Sequence, residues 1–219
     1  MRVFHFVSTK HAISNIENSW LKVATIKELN DPYEFYANFT SSGKPLDICH
    51  LNKVIEIFNG IVGFLCFSKC RNNPVQWAHY ADKHKGLCLE FEVPNKFLIE
   101  MKYRNRPIDI EVSDKNWRQQ FEEATKNKFQ HWKYEEEYRM AVDLNEQEVT
   151  RQSGLLFMPF SDHLKLCKVY SGVNCNLSAD EKKVLDKNNI DLVATEMSRT
   201  SYSITKTKQG NSNQQIKSS

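Results

Sequence analysis

The sequence predicts an α+β fold in which short strands and short helices are interspersed. Patterns typical of strands recur along the chain between segments with helical periodicity. No glycine-rich turn links a strand to a helix in the manner of Rossmann or P-loop proteins. The length of 219 residues fits one sizeable domain, and 40% hydrophobic residues are enough for a core. We assign residues 1–207 to that domain.

The first three elements are a strand, a helix and a second strand. Residues 2–7 have strand character, and Ser8 with Thr9 offers an N-cap for a helix that ends near Asn18. Residues 20–24 form the second strand.

A turn, a loop and a helix come next. Asn30 and Asp31 can bond back to the backbone and Pro32 fixes φ, so residues 29–34 are predicted to turn. Residues 36–48 are predicted to be a loop. Helical periodicity follows at 51–58, and Gly60 is expected to end that helix.

The central part of the chain alternates strands and helices. The continuous apolar run at 61–67 predicts a buried strand. Residues 75–82 are predicted to form a short helix, and 86–93 a strand that Pro94 stops. An amphipathic helix is predicted over 114–131, leading into a strand at 133–143.

The last third is predicted to hold three strands and one helix. The strands are at 164–170, 191–196 and 202–206, and the helix is capped by Ser178. From 208 onward the sequence is rich in Gly, Ser, Asn, Gln and Lys, so residues 208–219 are predicted to be a disordered tail.

Composition narrows the classes of protein to consider. No run approaches the ~18 apolar residues that span a bilayer, and the first residues lack the pattern of a signal peptide, so we expect a cytoplasmic protein without a membrane partner. The six cysteines are scattered, which favours free thiols over disulfides. Cys66 and Cys70 with two downstream histidines fit no standard zinc module, and no metal is expected. The net charge of +3 neither demands nor excludes nucleic acid.

The most informative segment is 132–139, with the sequence WKYEEEYR. Side chains alternate on a strand, so Glu135, Glu137 and Arg139 are predicted to share one face. Burying such charges is costly, which suits a polar site on a sheet. The alternative is a surface strand with a solvated row of charges.

Four blocks of the chain resemble the bacterial domain-of-unknown-function family 2971. In order, they contain FHF at 4–6, LNDPYE at 29–34, CFS at 66–68 with WAHYAD at 77–82, and Lys128-x3-Trp132-x2-Glu135-x-Glu137-x-Arg139. The resemblance covers residues 3 to about 205. It implies little about activity, because the family's activity is not settled.

The order of segments is also similar to that of His-Tyr-Glu-type ADP-ribosyltransferases. Those proteins open with a strand that carries a His, followed by Ser or Thr and a helix, as in residues 3–8. A late strand supplies the catalytic Glu, often within Glu-x-Glu, as at Glu135 and Glu137. This resemblance implies a mixed, mostly antiparallel split sheet with flanking helices. Phe6 replaces a Gly of that pattern, and Cys66 with Phe67 stands where a Tyr is expected.

The transferase resemblance also implies roles for individual residues, with NAD as the co-substrate. Glu137 would stabilise the developing oxocarbenium ion and Glu135 would orient or deprotonate the acceptor. The residues expected to bind NAD are His5 and Ser8 at the adenosine-side ribose, Tyr80 or Trp77 at the nicotinamide ring, Arg139 at the pyrophosphate or paired with Glu137, and Asn30 and Asp31 from the turn.

These expectations amount to an NAD-dependent ADP-ribosyltransferase of toxin or phage-defence type that modifies a nucleic-acid or protein acceptor. A nucleic-acid acceptor would call for a basic rim from residues such as Lys10, Lys83 and Lys85. One alternative is a non-enzymatic nucleic-acid or protein binding module. Another is a metal-dependent nuclease that uses Asp31, Glu135 and Glu137.

Overall fold

A computed structural model of the protein, which describes residues 1–113 and 115–207, shows a mixed α+β fold built on a large, mostly antiparallel sheet. The tail predicted at 208–219 lies outside the described residues. Within those residues, no helix combines the length and apolar character needed to cross a bilayer.

The strands and helices are short, as the sequence predicts. The strands are β1 (Arg2–Val7), β2 (Trp20–Thr25), β3 (Asn38–Ser41), β4 (Lys44–Pro45), β5 (Val62–Ser68), β6 (Leu87–Glu92), β7 (Ile99–Glu100), β8 (Lys102–Arg104), β9 (Asp109–Glu111), β10 (Asn127–Phe129), β11 (Glu137–Asp143), β12 (Thr150–Gln152), β13 (Leu155–Pro159), β14 (Lys165–Ser171), β15 (Leu192–Met197) and β16 (Ile204–Lys206). The helices are α1 (Thr9–Glu17), α2 (Ile48–Ile61), α3 (Pro74–Tyr80), α4 (Trp117–Ala124) and α5 (Ala179–Lys187), with 3₁₀ segments at Ile26–Glu28, Asn95–Phe97 and Gln130–Glu135.

Among the described residues, the main sheet contains eleven strands, drawn from the first and the last parts of the chain. Nine of them follow the order β12-β13-β2-β5-β1-β6-β14-β15-β16, while β11 pairs with β5 and β7 with β11. Of the strand pairs described in this sheet, β14 with β15 is parallel and the rest are antiparallel.

Strand β5 changes its partner along one edge. The other edge is paired with β11 from Val62 to Ser68. On the changing edge, β2 pairs at Gly63 and Phe64, whereas β1 pairs only at Ser68. Strands β1 and β2 therefore diverge beside Cys66 of β5. The gap between them leaves room for side chains.

Alternation along β5 separates two of the hydrophobic clusters. Leu65 and Phe67 pack in the larger cluster, which also contains residues of α1 and α5. Phe64 belongs to a phenylalanine-rich cluster on the opposite face, with Phe58 and Phe121. Because side chains of a strand point to opposite faces in turn, a single apolar run supplies both cores.

The structure corrects the prediction for residues 133–143. Gln130–Glu135 is a 3₁₀ segment, Glu136 ends it with a left-handed φ of 44°, and β11 begins only at Glu137. Glu135 and Glu137 therefore do not share a strand face, although the aromatic alternation at Trp132 and Tyr134 suggested a strand.

Three other boundaries differ from the prediction. The helix predicted over 114–131 is confined to α4, because β10 forms a parallel pair with β8. The loop predicted at 36–48 contains β3 and β4, which pair with each other, and β3 also pairs with β9, about 70 residues further along the chain. Helix α2 continues through Gly60 to Ile61.

The six cysteines are free, and Cys88 alone among them is fully buried.

Candidate functional site

A cavity of about 130 Å³ lies where β1 and β2 part. We call it the carboxylate cavity. It is formed by β1, β5, α3 and the junction between the third 3₁₀ segment and β11. Its lining residues are Phe4, His5, Phe6, Leu29, Asn30, Cys66, Phe67, Ser68, Gln76, Tyr80, Lys128, Glu135, Glu137 and Arg139.

Glu137 is a buried carboxylate held by two cations. Arg139 donates from Nε to Oε1 at 2.7 Å and from Nη2 to Oε2 at 3.2 Å, while Lys128 Nζ lies 2.9 Å from Oε2. Burial alone would raise the pKa of Glu137, but the two cations outweigh it and lower the pKa to about 2. Glu137 is therefore a permanent anion at neutral pH.

Glu135 is also buried, but its pKa moves in the opposite direction. Lys128 Nζ donates to Oε2 at 2.6 Å and the Tyr80 hydroxyl donates to Oε1. Burial raises the pKa of Glu135, and these two partners offset the effect only in part. Two neighbouring carboxylates with diverging pKa values are the usual arrangement of a site that both fixes charge and moves a proton.

A third carboxylate, Glu34, completes the charged network. Its Oε1 lies 2.6 Å from Arg139 Nη2 and 3.4 Å from Lys128 Nζ, and its Oε2 has no hydrogen-bond partner in the described residues. The side chains of this network are at most 8% exposed. With every group ionised, three carboxylates face two cations, so the network carries one net negative charge.

His5 stands on β1 at the opening in the sheet. Its Nδ1 is 3.0 Å from the backbone carbonyl oxygen of Cys66. Burial lowers the pKa of His5, so the ring is neutral at pH 7. A carbonyl can only accept, which assigns the proton to Nδ1 and leaves Nε2 as an acceptor.

Tyr80 connects the cavity to the turn at 29–34. Its hydroxyl donates to Glu135 and accepts from Asn30 Nδ2 at 2.7 Å. Burial and the adjacent Glu135 carboxylate raise the pKa of Tyr80 strongly, so the phenol stays protonated. Asn30 is thereby drawn into the cavity wall.

The structure brings some of the predicted residues together and separates others. His5, Asn30, Tyr80, Glu135, Glu137 and Arg139 line the carboxylate cavity. The buried guanidinium of Arg139 makes four hydrogen bonds, to Glu137, Glu34 and the carbonyl of Thr125, so it acts as a partner of Glu137, one of the two roles expected for it.

Three other predicted binding residues lie outside the cavity lining. Trp77 is completely buried, meets Phe6 edge-on at 5.2 Å and donates its indole N–H to the carbonyl of Arg71, so it is core. Ser8 occupies the N-cap position of α1. Asp31 accepts the backbone N–H of Tyr33 at 2.9 Å and stabilises the turn.

The lysines expected to form a basic rim for a nucleic-acid acceptor do not line a cavity. Lys10, Lys83 and Lys85 are exposed and line neither the carboxylate cavity nor the larger cavity described below.

Sequence reasoning gave no role to Lys128, Glu34, Gln76 or Ser68. Lys128 and Glu34 lie inside the blocks that carry the resemblance to family 2971. Their position in those blocks is the feature of the sequence that could have indicated a role at the site. Gln76 gave no signal, yet its Nε2 lies 3.0 Å from Ser68 Oγ, 2.8 Å from the carbonyl of Tyr134 and 3.0 Å from that of Glu135. It fixes the turn that presents Glu135.

A cation already sits between the carboxylates. Lys128 Nζ contacts Glu135 and Glu137 together, where a nuclease of the predicted alternative type would hold a metal ion. Across residues 1–113 and 115–207, no three His, Cys, Asp or Glu side chains are grouped so as to bind a metal.

No family model, curated protein or solved structure matches the chain.

A second cavity, of about 310 Å³, shares Lys128 with the first. We call it the arginine cavity. Its lining residues are Tyr33, Tyr36, Arg104, Asn105, Arg106, Pro107, Ile108, Asn127, Lys128 and Phe129.

Proposed function

We propose that the carboxylate cavity is the site of an NAD-dependent ADP-ribosyl transfer. The observation that carries the proposal is the pair of buried carboxylates, Glu135 and Glu137, with pKa values shifted in opposite directions beside His5 and Tyr80. The order of segments that resembles family 2971 and the His-Tyr-Glu-type ADP-ribosyltransferases adds support. That resemblance is also the basis for the ADP-ribosyltransferase-like fold and the toxin or phage-defence role within the proposal.

The proposed reaction breaks the bond between ribose C1′ and the nicotinamide nitrogen. The electron pair of that bond leaves with neutral nicotinamide, and positive charge develops on C1′ and the ring oxygen. An acceptor oxygen or nitrogen then bonds to C1′ and loses its proton to Glu135. The transition state is thus more positive at the ribose than the substrate is, as in glycoside cleavage.

The electrostatics of the site suit that charge. The network of Glu34, Glu135, Glu137, Lys128 and Arg139 carries one net negative charge when all of its members are ionised. Fixed charges in a poorly hydrated site stabilise a developing opposite charge without reorganisation. Glu137 is held in place for this role by its two cations.

The remaining groups suit binding and proton transfer. Glu135, whose pKa is raised, is the better proton acceptor of the two carboxylates. Nε2 of neutral His5 can accept a hydrogen bond from a ribose hydroxyl, and the nicotinamide ring can stack on the ring of Tyr80. At about 130 Å³ the cavity takes one end of a dinucleotide, because whole small ligands occupy roughly 300–1,000 Å³.

A binding module remains the second candidate, and one observation favours it. The arginine cavity combines exposed aromatic rings with two arginines, which is a common composition of surfaces that bind nucleic acid without chemistry.

Release of nicotinamide from NAD, measured with purified protein alone and with cell extract, tests the proposal. Glu135→Gln should lower the rate by roughly 10²–10⁴-fold, the usual contribution of a general base. Glu136→Gln is the matched control, since Glu136 is exposed and lies between the two buried carboxylates. Absence of nicotinamide release under both conditions, or equal rates for the two variants, would refute the proposal.

A further inference from the structure

Three exposed aromatic rings surround the arginine cavity. Tyr33 and Tyr36 are 58% and 53% exposed and meet edge-on at 5.4 Å, while Phe129 is 40% exposed and stacks on His131 at 4.6 Å. Exposed apolar surface gathered around one hollow is typical of a binding site. These rings offer faces on which a planar ligand can stack.

The charged side chains that line the arginine cavity are all basic. Arg104 donates from Nε to Asn127 Oδ1 at 2.6 Å, and Asn127 in turn donates to the carbonyl of Glu123 at 2.7 Å, which orients the guanidinium. Arg106 has no ion pair with the residues that the structure describes. None of the described carboxylates lines this cavity. Its charge therefore favours an anionic ligand.

Strand β10 contributes residues to both cavities, and Lys128 lines the two. Alternation places Asn127 and Phe129 on one face of the strand and Lys128 on the other. The ammonium of Lys128 is neutralised by Glu135 and Glu137. Arg104 and Arg106 thus supply the uncompensated positive charge of the arginine cavity.

We propose that the arginine cavity binds a nucleoside phosphate, with the base against the tyrosine and phenylalanine rings and the phosphates on Arg104 and Arg106. A base offers a flat π-surface, and a phosphate accepts paired guanidinium hydrogen bonds. Two sources share this chemistry. One is the adenosine diphosphate half of a dinucleotide whose other end enters the carboxylate cavity, and the other is a nucleotide of an acceptor strand.

Calorimetric titration of the full chain with ADP, and separately with a single-stranded hexanucleotide, tests the site. At least one ligand should bind. The double variant Arg104→Gln/Arg106→Gln should weaken that binding by roughly ten- to a hundredfold, because hydrogen bonds to charged groups are lost. Arg199→Gln is the matched control, since Arg199 is exposed and lines neither cavity. Both arginines of the double variant are exposed, so the fold should persist, which circular dichroism checks.

Competition with NAD identifies the source of the nucleotide. Displacement of the bound ligand by NAD assigns the cavity to the dinucleotide, and retention of the bound hexanucleotide in the presence of NAD assigns it to an acceptor strand. Binding of neither ligand, or equal binding by the double variant and the control, overturns the proposal.

The dinucleotide as the source of the ligand rests on the proposed reaction, whereas the nucleoside phosphate site itself does not. Its test measures binding without turnover, so ADP binding in the absence of nicotinamide release would retain this site and refute the transferase. Glu135→Gln should bind ADP as the unaltered protein does.

Discussion

The two cavities share Lys128 but use charge in different ways. In the carboxylate cavity, acidic and basic side chains are buried together and hold one another at hydrogen-bond distance. In the arginine cavity, cations stand at the surface beside exposed rings, and no carboxylate of the described residues lines the wall. The charges of the first cavity are thus compensated within the protein, whereas the arginines of the second have no ion pair among the described residues.

This difference has an energetic consequence. Buried charges lose hydration, and such a network is often no more stable than apolar residues of the same volume. Exposed arginines carry little of that cost. The carboxylate cavity should therefore be sensitive to the loss of any single charge, and the arginine cavity should tolerate it.

Replacing Lys128 gives the largest expected effect on stability. Lys128→Met leaves Glu34, Glu135 and Glu137 buried with Arg139 as their one remaining cation among the described residues. The free energy of unfolding should fall by about 3–5 kcal/mol, the usual cost of breaking a buried ion pair. Urea denaturation followed by circular dichroism measures it.

Arg106→Gln is the matched change at the other cavity. An exposed arginine without an ion pair in the described residues should change stability by at most about 0.5 kcal/mol. Adding Glu135→Gln to Lys128→Met should restore part of the loss, because one uncompensated charge disappears. Equal destabilisation by Lys128→Met and Arg106→Gln would remove the distinction between the two cavities.

Much of the fold follows from local patterns in the sequence. Helix α5 begins where Ser178 predicts it, since Ser178 and Glu181 form a reciprocal capping box. The apolar run at 61–67 is a buried strand, one residue displaced. Strands of two to four residues, such as β4 and β10, carry too little periodicity to be recognised. Strand β10 forms because the distant strand β8 supplies its hydrogen bonds, and β4 forms because β3, the other strand of a tight hairpin, supplies them.

The site was predicted in part, and partly for the wrong reason. Glu135 and Glu137 do meet at one cavity, but through a left-handed residue, Glu136, and not through strand alternation. The network also needs Glu34, which is 105 residues from Arg139 in the chain. Such long-range partners have no local signal, because tertiary packing alone sets their distance.

The decrease of the free energy of unfolding at acid pH gives the second test of the difference between the two cavities. The pKa of Glu137 is lowered from about 4.5 to about 2, so its contribution is complete above pH 4.5 and is lost as pH falls towards 2. The full contribution is roughly 3 kcal/mol, since a tenfold change in a protonation equilibrium corresponds to about 1.4 kcal/mol. The pKa of Glu135 is raised, so the stability that Glu135 contributes is complete below its unfolded-state pKa and is lost as pH rises through the raised pKa, opposite to the pH dependence of Glu137.

The measurement is the free energy of unfolding of the protein and of Glu137→Gln from pH 7 to pH 2. The difference between them should shrink by roughly 3 kcal/mol below pH 4.5. Arg106→Gln should show no such change, because its cavity is lined by no carboxylate of the described residues. A constant difference for Glu137→Gln would mean that the cations do not hold it ionised.

The smallest expected effect at the carboxylate cavity comes from Tyr80→Phe, which keeps the ring and removes the hydroxyl. The hydroxyl donates to Glu135, and this bond opposes the rise of the pKa of Glu135 that burial causes. Without it, the pKa of Glu135 should rise further, and the ascending limb of a pH–rate profile for nicotinamide release should move to higher pH. Stability should fall by about 1 kcal/mol, the net worth of one hydrogen bond. Tyr170→Phe is the control, because the Tyr170 hydroxyl donates to a different carboxylate, that of Glu90, at 2.6 Å and lines neither cavity. A limb that stays in place for Tyr80→Phe, or moves equally for Tyr170→Phe, would show that the titrating group of the reaction is not Glu135.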